Sequence, residues 1–112
     1  MTRITCLIPP HRLEGVKSAI ASAGANGLTV TDVRGVGNSI ESSTLFGGEE
    51  GVIPLPLRSK IEVVVIDEDV ERIVGAILRV AQTGEPGDGK IFLEPVIDAH
   101  RIRTGEHGDM AL

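Results

Sequence analysis

The chain has 112 residues, a formal net charge of −5, two Phe and neither Trp nor Tyr. This length implies one domain, 1–112, whose modest core is commonly completed by association with other copies. The acidic balance and the lack of aromatic stacking groups argue against nucleic acid as the main partner, so any phosphate must be met by a local cluster of donors. Cys6 is the single cysteine and has no internal disulfide partner. With neither a leader pattern nor an apolar run of about 18 residues, the expectation is a cytoplasmic protein.

Arg3 to Ile8 alternates, with Ile4, Cys6 and Ile8 on one face, as a strand with a buried side does. Pro9-Pro10 ends it, and Pro10 suits the first turn of a helix. Leu13, Val16, Ile20 and Ala23 keep helical spacing until Gly24 and Asn26-Gly27 stop it. Leu28 to Val36, rich in β-branched residues, reads as a second strand. The stretch 37–57 has no sustained period, and a loop of about twenty residues in so small a domain is commonly functional. Lys60 to Ile66 is the clearest strand. Asp67 is placed to cap the helix that follows, where Val70, Ile73, Val74, Ile77, Leu78 and Ala81 form a wide apolar stripe. Thr83 to Gly89 is a turn-forming loop, Ile91 to Leu93 a short strand, and the tail from Pro95 carries Arg101 and Arg103.

Two strand-helix-strand units in tandem predict an α+β, ferredoxin-like βαββαβ fold with both helices on one face of an antiparallel sheet. The other face must be covered from outside. Residues Ile61 to Ile66 look apolar on both sides, which points to a partner subunit.

The sharpest chemical feature is Thr83-Gly84-Glu85-Pro86-Gly87-Asp88-Gly89-Lys90. Its letters approach a P-loop, but Ile91 stands where a P-loop needs Ser or Thr for magnesium. The context is also reversed, since this loop follows a helix and leads into a strand. What survives is a backbone able to converge on an anion, with Lys90 as a point charge. Alone, the string reads as an ordinary turn. Arg101 and Arg103 add two guanidinium groups, placed on one face if the segment is extended. Gly35 and Gly37, at the end of the second strand, allow a ligand close to the backbone.

Together these segments resemble the PII signal-transduction family. The resemblance rests on Thr83-x-x-x-Gly87-Asp88-Gly89-Lys90-Ile91-Phe92, on Arg101-Ile102-Arg103-Thr104-Gly105-Glu106, and on Gly27-Leu28-Thr29-Val30-Thr31-Asp32-Val33-x-Gly35-x-Gly37. It implies a homotrimer that binds an adenine nucleotide (ATP, ADP or AMP) in each cleft between subunits. Thr29 and Val64 would contact the adenine and Glu62 the ribose. Gly87, Asp88, Gly89, Lys90, Arg101 and Arg103 would surround the phosphates, with Gly35 and Gly37 lining the cleft and Asn38 beside them. It also implies a non-catalytic regulator whose effector loop, 37–57, contacts a membrane transporter or a metabolic enzyme, so that the protein reaches the inner membrane only through such a target.

The departures from the family fall almost entirely in that loop. Ser39 replaces the glutamine that helps chelate magnesium with 2-oxoglutarate, and Arg58 replaces a lysine, so these two mark the effector or small-anion position. Asn38 replaces an arginine, Gly51 the tyrosine modified by uridylylation, Glu49 a phosphorylated serine, and Gly47 an arginine that enters a transport channel. Adenine-nucleotide binding is expected to persist while ordinary 2-oxoglutarate sensing and uridylylation are lost; whether magnesium accompanies the nucleotide is left open. The alternatives are a bicarbonate-responsive regulator of inorganic carbon uptake, a slow nucleotide-hydrolysing enzyme, and a structural or metal-tolerance trimer without nucleotide. His11, His100 and His107 are far apart in sequence and show no metal-ligand spacing, and Cys6 reads as a small core residue.

Overall fold

The computed structural model describes residues 1–37 and 55–112. Four strands, β1 (Thr2–Ile8), β2 (Thr29–Arg34), β3 (Leu57–Val65) and β4 (Lys90–Pro95), form one antiparallel sheet in the order β2-β3-β1-β4. Two helices, α1 (Leu13–Ser22) and α2 (Val70–Ala81), complete the βαββαβ order of a ferredoxin-like α+β fold.

Alternation decides which face of the sheet is covered. Ile4, Cys6 and Ile8 of β1 and Ile61, Val63 and Val65 of β3 are buried, and they meet Val16 and Ile20 of α1 and Ile73, Ile77 and Ala81 of α2. With no large aromatic among them, these β-branched and aliphatic side chains fill the core at about 1.5–3 kcal/mol per large residue. The helices approach closely where Gly15 faces Val80, since a Cβ on Gly15 would lie 2.9 Å from the Val80 side chain. Arg72 Nε donates to the carbonyl of Ala23 at 2.9 Å, so α2 supplies a donor to the C-terminal end of α1.

Three expectations are corrected. β3 begins at Leu57, three residues before the apolar run, because Leu57 and Arg58 pair with Arg34 and Val33 of β2. Asp67 does not cap α2: a 3-10 turn, Asp67–Asp69, precedes the helix, and the Asp67 carboxylate instead accepts from the Thr2 hydroxyl at 2.7 Å. The uncovered face of β3 is not uniformly apolar. It presents Arg58, Lys60, Glu62 and Val64, each half-buried, and the unbroken Val63–Ile66 run conceals this alternation in the sequence. Asn38, Ser39 and the loop positions Gly47, Glu49 and Gly51 lie outside the described residues.

Candidate functional site

The Thr83–Lys90 loop gets its shape from its own acid. Asp88 Oδ2 accepts from the Thr83 amide at 2.7 Å and the Gly84 amide at 3.0 Å, while Oδ1 accepts from the Thr83 hydroxyl at 2.6 Å. The Thr83 hydroxyl in turn accepts from the Glu85 amide at 3.1 Å. The Thr83 hydroxyl and amide hold the Asp88 carboxyl below the usual carboxylate range, with smaller help from Gly84 and the nearby Arg12 charge. The carboxylate is therefore turned into the loop, and the Gly87–Gly89 stretch is the backbone left to meet an anion. Gly87 and Gly89 take φ of +98° and +105°. A Cβ on Gly89 would also collide with the Leu7 carbonyl, so the turn into β4 requires glycine there.

This loop forms one wall of a cavity of about 670 Å³. Gly35, Gly37 and Arg58 stand opposite, with Leu7 and Phe92 as its apolar floor. Seven of the residues expected at the site thus come together: Gly35, Gly37, Arg58, Gly87, Asp88, Gly89 and Lys90. Arg34, absent from the sequence-based set, lines the same cavity and donates from Nη1 to the Leu55 carbonyl at 3.3 Å. Its position immediately before Gly35 at a strand end was the available signal. Arg34, Arg58 and Lys90 give this cavity the local positive charge that the acidic chain as a whole lacks.

The remaining expected residues among those described lie elsewhere. Val64 and Arg101 line a second cavity of about 520 Å³, beside the Gly24–Gly27 turn, Asp69 and Asp109. Val64 is six residues beyond Arg58 on β3, roughly 20 Å at the rise of an extended strand. Thr29 and Glu62 pair across β2 and β3 on the uncovered face, where Glu62 is held by Lys60 at 3.4 Å and Arg3 at 3.6 Å. One chain therefore carries two cavities, reached by Arg58 and Val64 near opposite ends of one strand.

The tail departs from its expected shape. Residues 102–104 form a turn rather than an extended segment, closed by Gly105 N to Arg101 O at 2.7 Å and Arg101 N to Glu106 O at 2.8 Å. Arg101 and Arg103 consequently do not share one face. Arg101 is half-buried and paired with Glu106 at 3.4 Å, whereas Arg103 is exposed and lines neither cavity. His100 and His107, distant in sequence, face each other across a bridge with ring centroids 5.3 Å apart. Both approach Asp98 Oδ2, at 3.2 and 3.6 Å. Asp98 Oδ1 accepts from the Gly108 amide at 2.9 Å and the Ala99 amide at 2.8 Å, and these bonds hold its carboxyl below the usual range. Among the described residues no group of three His, Cys, Asp or Glu side chains is arranged to hold a metal ion. Burial pushes the Cys6 thiol up to about 11, which fits a core residue rather than a nucleophile.

The model of the family described as nitrogen regulatory protein P-II matches residues 1–106. The chain belongs to the PII family. It is 46% identical over 112 residues to nitrogen regulatory protein P-II 2 of Methanothermobacter thermautotrophicus, covering all of this chain and 97% of that protein. It is 43% identical to nitrogen regulatory protein P-II 1 of Escherichia coli K12, with both chains fully covered. A third relative, nitrogen regulatory protein P-II of Bradyrhizobium diazoefficiens, is 44% identical over 108 residues, 96% of each chain. PII proteins are signal-transduction regulators, generally trimeric and acting on partner proteins, and they bind adenine nucleotides. No described helix is long and apolar enough to cross a membrane.

Proposed function

We propose that this PII protein is a non-catalytic regulator that binds an adenine nucleotide between neighbouring copies of itself. The observation that carries the reading is the separation of two groups of expected residues, Gly35, Gly37, Arg58 and Gly87 to Lys90 in one cavity and Val64 and Arg101 in another, towards opposite ends of β3. A head-to-tail ring apposes the first cavity of one copy to the second cavity of the next, and three copies close such a ring. The Gly87–Gly89 backbone, Lys90 and Arg34 then face the phosphates from one side, and Arg101 from the other. Val64, Thr29 and Glu62 supply the base and ribose contacts. The 37–57 segment is the effector loop through which nucleotide occupancy reaches a transporter or metabolic enzyme. Ser39 lacks the reach of an amide side chain for a chelated metal, so 2-oxoglutarate does not act here in the way usual for nitrogen sensing.

Calorimetric titration of the full chain with ATP, ADP and AMP, alone and with 2-oxoglutarate or bicarbonate, tests this. One nucleotide bound per chain, in a particle of three chains by light scattering, is the expected result. The absence of binding by any of the three nucleotides sinks the reading, and magnesium-dependent 2-oxoglutarate binding overturns the assignment of Ser39. Multiple turnover at ordinary enzyme rates would favour a hydrolase instead.

A further inference from the structure

The guanidinium of Arg101 is already occupied. Its Nη1 lies 3.4 Å from Glu106 Oε1, and its Nη2 donates to the Leu112 backbone oxygen at 3.3 Å. The carboxylate is not there by chance of a flexible side chain, because Glu106 Oε1 also accepts from the Thr104 hydroxyl at 2.8 Å. The same hydroxyl accepts from the Glu106 amide at 3.2 Å. The Arg101–Glu106 backbone bond and the Gly105 turn fix the two residues across from each other. Thr104 thus presents Glu106 to Arg101 as a ready-made oxyanion.

We propose that Glu106 is an internal competitor for the phosphate of a bound nucleotide, and that it sets the affinity of the half-site by holding Arg101 until the phosphate displaces it. This rests on the nucleotide reading of the site. A phosphate and a carboxylate use the same guanidinium donors, so Arg101 cannot pair fully with both in the same geometry. An uncompensated Glu106 also opposes an approaching polyanion. Both effects act in the same direction, towards weaker binding than the arginine alone would give. The pair is only half-buried, with side chains 38% and 36% exposed, so solvent screens it and its release is reversible at modest cost. The magnitude suits a threshold: the contact lowers affinity without abolishing it.

Calorimetry with ATP on the full chain tests the inference through Glu106→Gln, which keeps the size and one acceptor of the side chain but removes its charge. Binding is expected to tighten about two- to fivefold, the range of an exposed ion pair. Thr104→Val, which leaves the charge but removes the hydroxyl that presents it, is expected to shift affinity the same way by less. A merely structural role for Glu106 predicts weaker binding, so an unchanged or weakened Glu106→Gln variant overturns the proposal while leaving the nucleotide reading intact. In an Arg101→Ala background the gain from Glu106→Gln should shrink; an equal gain there shows general charge repulsion instead and also overturns it. If neither the wild type nor Glu106→Gln binds ATP, the nucleotide reading and this inference fall together.

Discussion

The two loops that carry the basic residues, 83–90 and 100–107, are built on the same plan and reach opposite results. Each is a glycine-containing turn shaped by a hydroxyl and a carboxylate from its own sequence. In the first, Thr83 absorbs the Asp88 carboxylate, and Lys90 is left exposed on the cavity wall. In the second, Thr104 turns the Glu106 carboxylate outward onto Arg101, and the cation is engaged before any ligand arrives. The position of one acid relative to the threonine decides whether the acid is taken up by its own loop or set against the loop's arginine. Composition does not distinguish them.

The strongest challenge to this contrast is Gly89→Ala. The new Cβ would meet the Leu7 carbonyl at a positive φ, which disrupts the turn into β4. Loss of ATP binding by an order of magnitude or more is expected, with a stability cost of at least about 2 kcal/mol in chemical denaturation. An Ala variant of unchanged stability would show that the loop does not depend on this contact.

Lys90→Ala should weaken ATP about tenfold or more, the scale of a charge-assisted hydrogen bond, and AMP less. Equal losses for the two nucleotides would move Lys90 away from the outer phosphates. The same variant offers a sharper experiment. Mixed with an Arg101→Ala variant under conditions that exchange subunits, it should recover part of the lost ATP affinity, because some interfaces then pair an intact first cavity with an intact second one. No recovery on mixing would contradict a site shared between copies.

Asp88→Asn comes next. An amide in place of the carboxylate loses the charge that strengthens the loop's hydrogen bonds and, with its oxygen on the Thr83 and Gly84 amides, sets its NH2 against a Thr83 hydroxyl that already accepts from the Glu85 amide. Faster hydrogen exchange at the Thr83 and Gly84 amides and a severalfold loss of ATP affinity are expected, smaller than for Lys90→Ala. Retained exchange protection at both amides would show that Asp88 does not shape the loop.

The smallest effect is one of pH. The Asp88 and Asp98 carboxyls are held below their ordinary range in the folded protein, so the unfolded chain binds more protons at these positions. Their contribution is complete at neutral pH and is lost as the pH falls below about 4 and through the folded-state values. Both loops should loosen over that range, visible as faster amide exchange at Thr83, Gly84, Ala99 and Gly108. Because Asp98 is exposed and Asp88 only half-buried, the change should be modest, and solution NMR is the suitable probe.

Much of the fold is legible in the chain because alternation and helical stripes are local signals. Ile4, Cys6 and Ile8, and Ile73, Ile77 and Ala81 of the helical stripe, occupy the buried positions their spacing implies, whereas Val70 and Val74 are partly buried and Leu78, at the stripe's edge, is exposed. Where a signal depends on a distant partner, the reading fails for a physical reason. The start of β3 at Leu57 is set by pairing with Arg34 rather than by its own composition. Asp67 was a plausible helix cap until the Thr2 hydroxyl claimed it across the fold. The turn at 102–104 depends on Glu106 and Gly105 closing it, and the meeting of His100 with His107 is a product of that closure. Part of each cavity lining was legible through the glycine-rich loop, Arg101 and the family resemblance, while Arg34 was missed and Arg103 lines neither cavity. The division between two cavities was not legible, because it follows from the length of β3, a property of the folded strand.

That division has a consequence for dilution. If the half-site bearing Lys90 meets the half-site bearing Arg101 only across a boundary between copies, a lone chain has no complete site. Nucleotide binding and assembly then reinforce each other by mass action. Apparent affinity should fall as protein concentration drops below that needed to keep the ring closed, and nucleotide should hold the ring together at dilutions where it otherwise comes apart. The quantity such a protein reports is joint: how much nucleotide is present, and how many copies of the protein there are to share it.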